Sequence, residues 1–332
     1  MTVKKIALTG IKPSGSPHVG NYLGAIKPAL ELTADHEARY FIADYHALTT
    51  VRDKKTLKAQ IYDLAATWLA AGLNPDEVIF YRQSDIPEVF ELTWILSCMA
   101  PKGLLNRAHS YKDSVDKNTA AGREPDEGVS SGLFYYPILM AADILAFSTN
   151  VVPVGQDQKQ HLEITRDIAH AFNQTYGEIL AIPDALIRED VKTIPGIDGR
   201  KMSKSYNNVI PLFAPQKEVQ KAVKQIVTDS RGVDEPKDPD SCNLFSIYTY
   251  FATPQEVEAK RKQYKAGGLG YGDMKNELVE KIDAAFASGR EKYQDLMANT
   301  EKIDWILEEG AEKARTIAGP LLQKVRHAIG IQ

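Results

Sequence analysis

Apolar and amphipathic segments alternate along the first half of the chain. Short apolar runs bounded by turn formers predict buried strands at 3–9, 39–43, 78–81 and 151–154. Apolar residues at helical spacing predict the intervening helices at 19–32, 57–72, 137–147 and 157–172. Because strand and helix alternate, we predict an α/β fold with a doubly wound parallel sheet.

This alternation is interrupted once and later ends. Residues 85–135 carry one apolar helix at 90–99 and then a polar stretch that predicts irregular structure, so we interpret the segment as an insertion. After Ser205, amphipathic patterns predict helices at 215–228, 254–266, 271–298, 300–308 and 309–329, and Pro320 predicts a kink in the last one. We therefore predict a Rossmann-like nucleotide-binding domain over 1–205 and a helical domain over 206–332.

Composition narrows the class of protein only slightly. The 332 residues are 43% hydrophobic and 25% charged, which is ordinary for a globular protein of about two domains. The net charge is −4, and beyond Tyr206 there are 18 Lys+Arg against 19 Asp+Glu, so any nucleic acid would bind to local basic patches. The two cysteines, Cys98 and Cys242, are too few for a disulfide framework or a Cys-rich metal site. With no signal-peptide pattern and no long apolar run, we expect a cytoplasmic enzyme.

A histidine–valine–glycine–asparagine segment follows the first predicted strand, where the chain turns into a helix. In doubly wound sheets, helix N-termini at the carboxyl ends of strands point N–H groups at phosphates. His18 can donate to a phosphate oxygen, Gly20 allows a ribose or base to approach the backbone, and Asn21 offers uncharged donors. A turn with a purely structural role would explain these four residues about as well as a phosphate-binding site.

A second segment, Lys201-Met202-Ser203-Lys204-Ser205, follows a turn-rich stretch. Two lysines on a loop suit a triphosphate whose charge shifts toward a leaving pyrophosphate, and a solvated basic loop is the alternative. Together the two segments resemble the two signatures of the class I aminoacyl-tRNA synthetases. Asn21 stands in place of the more general final histidine of the first signature.

An apolar helix at 136–145 carries one carboxylate, Asp143. A buried carboxylate is costly unless it is paired, so Asp143 needs a partner. It could cap a helix or pair with a cation. Within this family it would accept the indole N–H of tryptophan, with Met140 one turn away on the same face, and it would reject phenylalanine.

Polar residues also follow two other predicted strands. Gly155 lies between a strand and a helix, so N–H groups there can meet the ribose or adenine of ATP, and Asp157 can accept from ribose hydroxyls or simply cap the helix. Gln158 could touch the amino acid. His46 ends the second strand and fits a pocket wall, although a lone histidine is more often structural.

These segments resemble the tryptophanyl branch of the class, and the resemblance runs from Ile6 to Ile329. It implies that His18, Lys201 and Lys204 are catalytic. The implied ATP contacts are Lys12, Pro13, Ser14, Gly20, Asn21, Gly155, Gln156, Asp157, Lys201, Met202, Ser203, Lys204 and Ser205. The implied tryptophan contacts are Leu8, Gly10, His46, Met140, Asp143, Val152, Val154 and Gln158.

The resemblance also implies a reaction and partners. Tryptophan is activated by ATP to tryptophanyl-adenylate and pyrophosphate, and is then transferred to the 3′ end of its tRNA. Mg²⁺ enters with ATP, and no protein-bound metal is expected. The family is a homodimer whose insertion forms much of the interface and whose helical region reads the anticodon. Three positions depart from its pattern: Lys12 and Tyr45 stand where glutamine is common, and Gln156 where glutamate is common.

Three other functions fit parts of the sequence. A tyrosyl enzyme would use Asp143 for a phenol. A small-molecule nucleotidylyltransferase would share the His18 site but would have little use for the long helical region. A synthetase-like binding or regulatory protein would not require the intact His18, Gly20, Lys201 and Lys204.

Overall fold

The computed structural model describes residues 4–155, 159–186 and 193–331. Its sheet has the strand order β3-β2-β1-β4-β5, and all neighbours are parallel. The strands are β1 (Lys5–Ile11), β2 (His36–Ile42), β3 (Ile79–Arg82), β4 (Val151–Pro153) and β5 (Asp184–Leu186). The predicted doubly wound parallel sheet is confirmed. The additional strand β5 was not predicted because three partly exposed residues give no apolar pattern.

The winding of the sheet changes direction beside β1. Strands β1 and β2 pair from Lys5–His36 to Ile11–Ile42. On its other side β1 meets β4, where Ala7 is opposite Val151. The chain therefore adds β2 and β3 on one side of β1 and then returns to add β4 and β5 on the other side. The crevice between the carboxyl ends of β1 and β4 is the switch point at which such sheets bind ligands.

Helices cover both faces of the sheet and make up the C-terminal third. They are α1 (Val19–Asn21), α2 (Lys27–Leu32), α3 (Asp44–Ala47), α4 (Lys54–Ala70), α5 (Pro87–Met99), α6 (Lys102–Asn106), α7 (His109–Ala120), α8 (Ser131–Leu145), α9 (Lys159–Tyr176), α10 (Gln216–Lys224), α11 (Asn243–Tyr248), α12 (Pro254–Ala266), α13 (Tyr271–Ala298) and α14 (Thr300–Ala328). A π-helical turn, Tyr22–Ile26, joins α1 to α2. In the described part of the chain no helix has both the length and the apolarity of a membrane span.

Two predictions about helices were wrong. The polar stretch after α5 was predicted to be irregular, but it forms the helices α6 and α7. Helix α7 has no apolar stripe from which the sequence could have predicted it, and polar contacts hold it instead. Lys117 donates to Asp113 at 2.6 Å, and the Asn118 amide donates to two carbonyls of the turn that follows. The predicted break near residue 309 is absent, and α14 continues through Pro320.

Helix α14 crosses the edge strand β3 and joins both faces of the sheet. Its first half, including Ile303 and Leu307, packs in the core beneath α4, whereas residues 311–325 pack in the core formed with α5 and α8. Gly310 lies at the crossing, where an added Cβ would stand 1.8 Å from the carbonyl oxygen of Phe80. A glycine here lets the helix cover an edge strand that would otherwise be exposed.

The core of the C-terminal helices includes residues from both signature segments. Val19 and Met202 are buried together with side chains of α10, α11 and α13. The N–H of Val19 also donates to Ile210 O at 2.9 Å. The helical region therefore fixes the backbone on which both signature segments lie.

The crossing of α14 over β3 gives a stability prediction. We expect Gly310→Ala to lower the free energy of unfolding by about 1–3 kcal/mol or more, because the new methyl group meets backbone that cannot rotate away. Urea unfolding followed by circular dichroism measures the change. The matched control is Gly272→Ala in α13, where a Cβ meets nothing within 4 Å, and which should be neutral or slightly stabilising. Equal stability of the two variants would contradict the tight crossing.

Candidate active site

The first signature segment forms a tight cap at the start of α1. The Nδ1 atom of His18 accepts the Asn21 N–H at 3.3 Å, and Asn21 Oδ1 accepts the His18 N–H at 3.1 Å. This reciprocal arrangement is a capping box, so the structural interpretation of the tetrad is partly correct. Because Nδ1 accepts, a neutral His18 carries its proton on Nε2, and that atom can donate to a ligand.

His18 is uncharged at neutral pH. Burial, with a smaller contribution from the positive charge of Lys204, lowers the pKa of its imidazole to about 4. The residue can therefore stabilise a phosphate as a hydrogen-bond donor, whereas the cationic charge at this site comes from the lysines.

The two signature segments touch each other. The N–H of Gly20 donates to the sulfur of Met202 at 3.1 Å, and a Cβ on residue 20 would crowd the His18 ring and Met202. Lys204 Nζ donates to Ser14 O at 3.3 Å. The structure thus brings together the residues on which the predicted triphosphate site depends.

The rest of the lysine segment is held by one asparagine. Asn208 Oδ1 accepts the Ser203 N–H at 2.7 Å, while its amide nitrogen donates to Lys201 O at 3.1 Å. The Ser203 hydroxyl accepts the N–H of Ser205 at 3.3 Å. Asn208 is buried and was missed from the sequence, although it follows the pentapeptide by three residues.

The loop after β1 is held from α4. With its amide nitrogen on the side of Pro13, Gln60 donates to Pro13 O at 2.9 Å and accepts the Gly15 N–H at 3.2 Å. Lys12 Nζ donates to the Thr49 hydroxyl at 3.0 Å, and burial lowers the pKa of this lysine. Lys12 therefore lies toward the loop after β2.

On the other side of the switch point, Gly155 follows β4 at its carboxyl end. Gln156, Asp157 and Gln158, which were predicted to contact ATP or tryptophan, lie outside the described residues. Val152 is buried and Val154 partly buried in the same core as Leu8 and Met140. Their contact with tryptophan stays a prediction.

Asp143 lies in α8 with 2% of its surface exposed. His46 Nε2 is 2.9 Å from Asp143 Oδ2, and Gln83 Nε2 donates to both carboxylate oxygens at 2.8 Å. Burial raises the pKa of this carboxyl, and its hydrogen bonds to His46 and Gln83 act in the opposite direction. The expectation that Asp143 needs a partner is confirmed.

One residue that holds this carboxylate was missed from the sequence, and one predicted tryptophan contact, Gly10, has a structural role as well. Gln83 was missed, although it follows β3 as His46 follows β2, and the carboxyl ends of adjacent parallel strands meet at one edge. Gly10 was predicted to contact tryptophan, but its lack of a side chain has a structural reason. A Cβ there would lie 2.2 Å from the buried ring of Phe41.

Among the described residues no group of three or more His, Cys, Asp or Glu side chains is arranged to hold a metal ion. The described site contains hydrogen-bond donors and the lysines Lys12 and Lys204 by the loop after β1, and the buried Asp143 carboxylate lies in α8. Such a site can position an anionic nucleotide next to an apolar ligand that has one polar edge.

This fold and site define a class of proteins. A family model described as tRNA synthetases class I (W and Y) matches residues 2–287, and the chain belongs to that family.

Relatives narrow the comparison further. The chain is 52% identical over 330 residues to a tryptophan–tRNA ligase of Pseudomonas putida, covering 98% of this chain and 73% of the relative. It is 53% identical over 328 residues to one of Bordetella parapertussis, covering 98% and 72%. The crystal structure of tryptophanyl-tRNA synthetase from Campylobacter jejuni complexed with ADP and tryptophan matches with a TM-score of 0.90 at 45% identity, covering 98% of this chain and 99% of that one.

The depressed pKa of His18 gives a prediction for pH. Nuclear magnetic resonance titration of its imidazole should show a midpoint near pH 4. Lys204→Ala should raise that midpoint while leaving it below the ordinary value of about 6.5, because burial is the larger cause. The unfolded chain binds this proton more readily, so the contribution to stability is complete above about pH 6.5 and is lost as pH falls toward 4. A midpoint at the ordinary value would contradict the burial of His18.

Proposed function

We propose that the chain activates L-tryptophan with ATP and transfers it to the 3′ end of its tRNA. The observation that carries the proposal is the buried Asp143, held by His46 and Gln83 at the carboxyl ends of β2 and β3, on the same edge of the sheet as the switch-point site. The relatives named tryptophan–tRNA ligase at about half identity support it. So does the likeness to a structure complexed with ADP and tryptophan.

In the first step a carboxylate oxygen of tryptophan attacks the α-phosphorus of ATP. The bond from that phosphorus to the bridging oxygen breaks, and pyrophosphate leaves with its electron pair. His18 donates from Nε2, and Lys201 and Lys204 offset the charge that builds on the leaving group. In the second step a terminal ribose hydroxyl of the tRNA attacks the acyl carbon of the adenylate, and AMP leaves.

The nucleotide would lie along the two touching signature segments. Its contacts are assigned to Lys12, Pro13, Ser14, Gly20, Asn21, Gly155, Gln156, Asp157 and 201–205. Mg²⁺ would enter bound to the phosphates. Tryptophan would lie against Leu8, Gly10, His46, Met140, Asp143, Val152, Val154 and Gln158. We place the reaction in the cytoplasm.

ATP–pyrophosphate exchange with each standard amino acid, without tRNA, tests this function. We expect exchange with tryptophan alone. Exchange with tyrosine instead would mean that Asp143 binds a phenol. No exchange with any amino acid would favour a non-catalytic protein or another nucleotidylyl acceptor.

The same assay tests the role of Lys204. Lys204→Ala should lower kcat for exchange by about 10²–10³-fold, the usual effect of removing one group that stabilises charge in the transition state. Lys217→Ala, which removes an exposed lysine from α10, serves as the control and should leave exchange unchanged. A Lys204→Ala enzyme with the wild-type rate would exclude the lysine from catalysis.

We also propose that the two domains have different functions. Residues 1–205 would catalyse the activation of tryptophan, and residues 206–332 would bind the anticodon of the tRNA. The basic run on α12 does not identify the contacts, because much of it is paired within the fold. Lys260 donates to Glu277 at 2.6 Å and Arg261 to Asp240 at 2.5 Å.

A homodimer through the inserted segment is proposed as well. Helix α5 exposes Trp94 and Phe90, one turn apart, with 72% and 47% of their surfaces accessible. Large exposed apolar side chains on one face are typical of an interface.

Sedimentation equilibrium tests the dimer. Trp94→Glu should shift the chain toward the monomer, because a charge would be buried at the interface. The matched control is Trp305→Glu, since Trp305 on α14 is comparably exposed at 62% and lies outside the insertion. If Trp94→Glu stays dimeric, the interface lies elsewhere, and if the wild-type chain is monomeric, the dimer is wrong.

A further inference from the structure

Gln83 is the first residue after β3 and is buried, with 1% of its surface exposed. Its side-chain amide is both a hydrogen-bond donor and a hydrogen-bond acceptor. Nε2 donates to both oxygens of Asp143 at 2.8 Å, and Oε1 accepts the N–H groups of Tyr45 and His46 at 3.1 and 3.4 Å. A glutamine amide has both capacities, whereas a charged side chain of similar length has only one.

The two carboxylate oxygens of Asp143 accept different numbers of hydrogen bonds. His46 contacts Oδ2, whereas Gln83 reaches both oxygens. Because a carboxylate has about four acceptor positions, these contacts leave capacity for one more donor. The neutral amide of Gln83 also holds the carboxylate without placing a cation in the pocket.

We infer that Gln83 is a positioning residue that presents Asp143 as an acceptor and thereby selects amino acids whose ring carries an N–H group. This inference rests on the proposed function. Gln83 acts through Asp143, so the expected effect of losing it falls on the binding and choice of amino acid and not on ATP.

A second tie between the same two turns provides a control. Asp44, at the start of α3, accepts the Ser84 hydroxyl at 2.5 Å and the Ser84 N–H at 3.0 Å. Ser84 is adjacent to Gln83 and joins the same turns, but it makes no hydrogen bond to Asp143 among the described contacts. If Gln83 served only to join the turns, removing the Ser84 hydroxyl would have a similar effect.

Two substitutions at position 83 separate the functions of its amide. Gln83→Glu keeps an oxygen for the N–H groups of Tyr45 and His46 but replaces the donor with a second carboxylate. Two facing carboxyl groups share a proton, which engages Asp143 and removes its free acceptor position. Gln83→Met has similar volume and no charge, and serves if the glutamate variant does not fold.

The experiment compares tryptophan with 3-(benzothienyl)alanine, in which sulfur replaces the ring N–H, as substrates for ATP–pyrophosphate exchange. Wild type should prefer tryptophan by about 10²-fold or more, because the analogue leaves a buried acceptor unpaired. Gln83→Glu and Gln83→Met should raise KM for tryptophan by about 10- to 100-fold and shrink the preference at least tenfold. KM for ATP should stay within about twofold of wild type, and Ser84→Ala should keep the preference.

Three results would overturn the inference about Gln83. If folded variants at position 83 keep the wild-type preference, or if Ser84→Ala loses it equally, Gln83 is not the positioning residue. If neither variant at position 83 folds, the amide is required for stability and the inference is overturned. Absence of exchange with tryptophan in the wild type would instead refute the proposed function, and the two failures are therefore distinguishable.

Discussion

The burial of one carboxylate constrains much of the site. Asp143 lies in an apolar helix with almost no contact with solvent, and an ionised carboxyl group there is costly unless donors reach it. The donors come from the turns after β2 and β3. Those turns are in turn fixed to each other through Gln83 and through Asp44 with Ser84.

A second constraint joins the helical region to the nucleotide side of the site. Met202 is buried among the C-terminal helices, and its sulfur accepts the N–H of Gly20. The two signature segments, which are about 180 residues apart in sequence, therefore depend on one shared core. Helix α14 adds a further connection because it crosses β3 at Gly310 and packs on both faces of the sheet. Stability of the helical region and geometry of the site are thus linked.

The sequence predicted what local pattern encodes. Alternating apolar segments identified four strands and the doubly wound topology, and the motifs placed His18 and Lys204 at the same edge of the sheet. It did not predict α7, which has no apolar stripe, or the continuity of α14 across Gly310. Gln83 and Asn208 were missed because their importance comes from partners 60 and 5 residues away, and an isolated amide carries no pattern of its own.

The use of amides at these buried positions has a common physical reason. Gln83 donates to the buried Asp143 carboxylate, and Asn208 holds the backbone of the lysine segment. A charged side chain at position 83 would form an ion pair with Asp143 or repel it, whereas Asn208 holds the Ser203 N–H and the Lys201 carbonyl. An amide donates and accepts at once and leaves the charge of the group that it holds unaltered. Both amides therefore fix their neighbours through hydrogen bonds without adding a charge of their own.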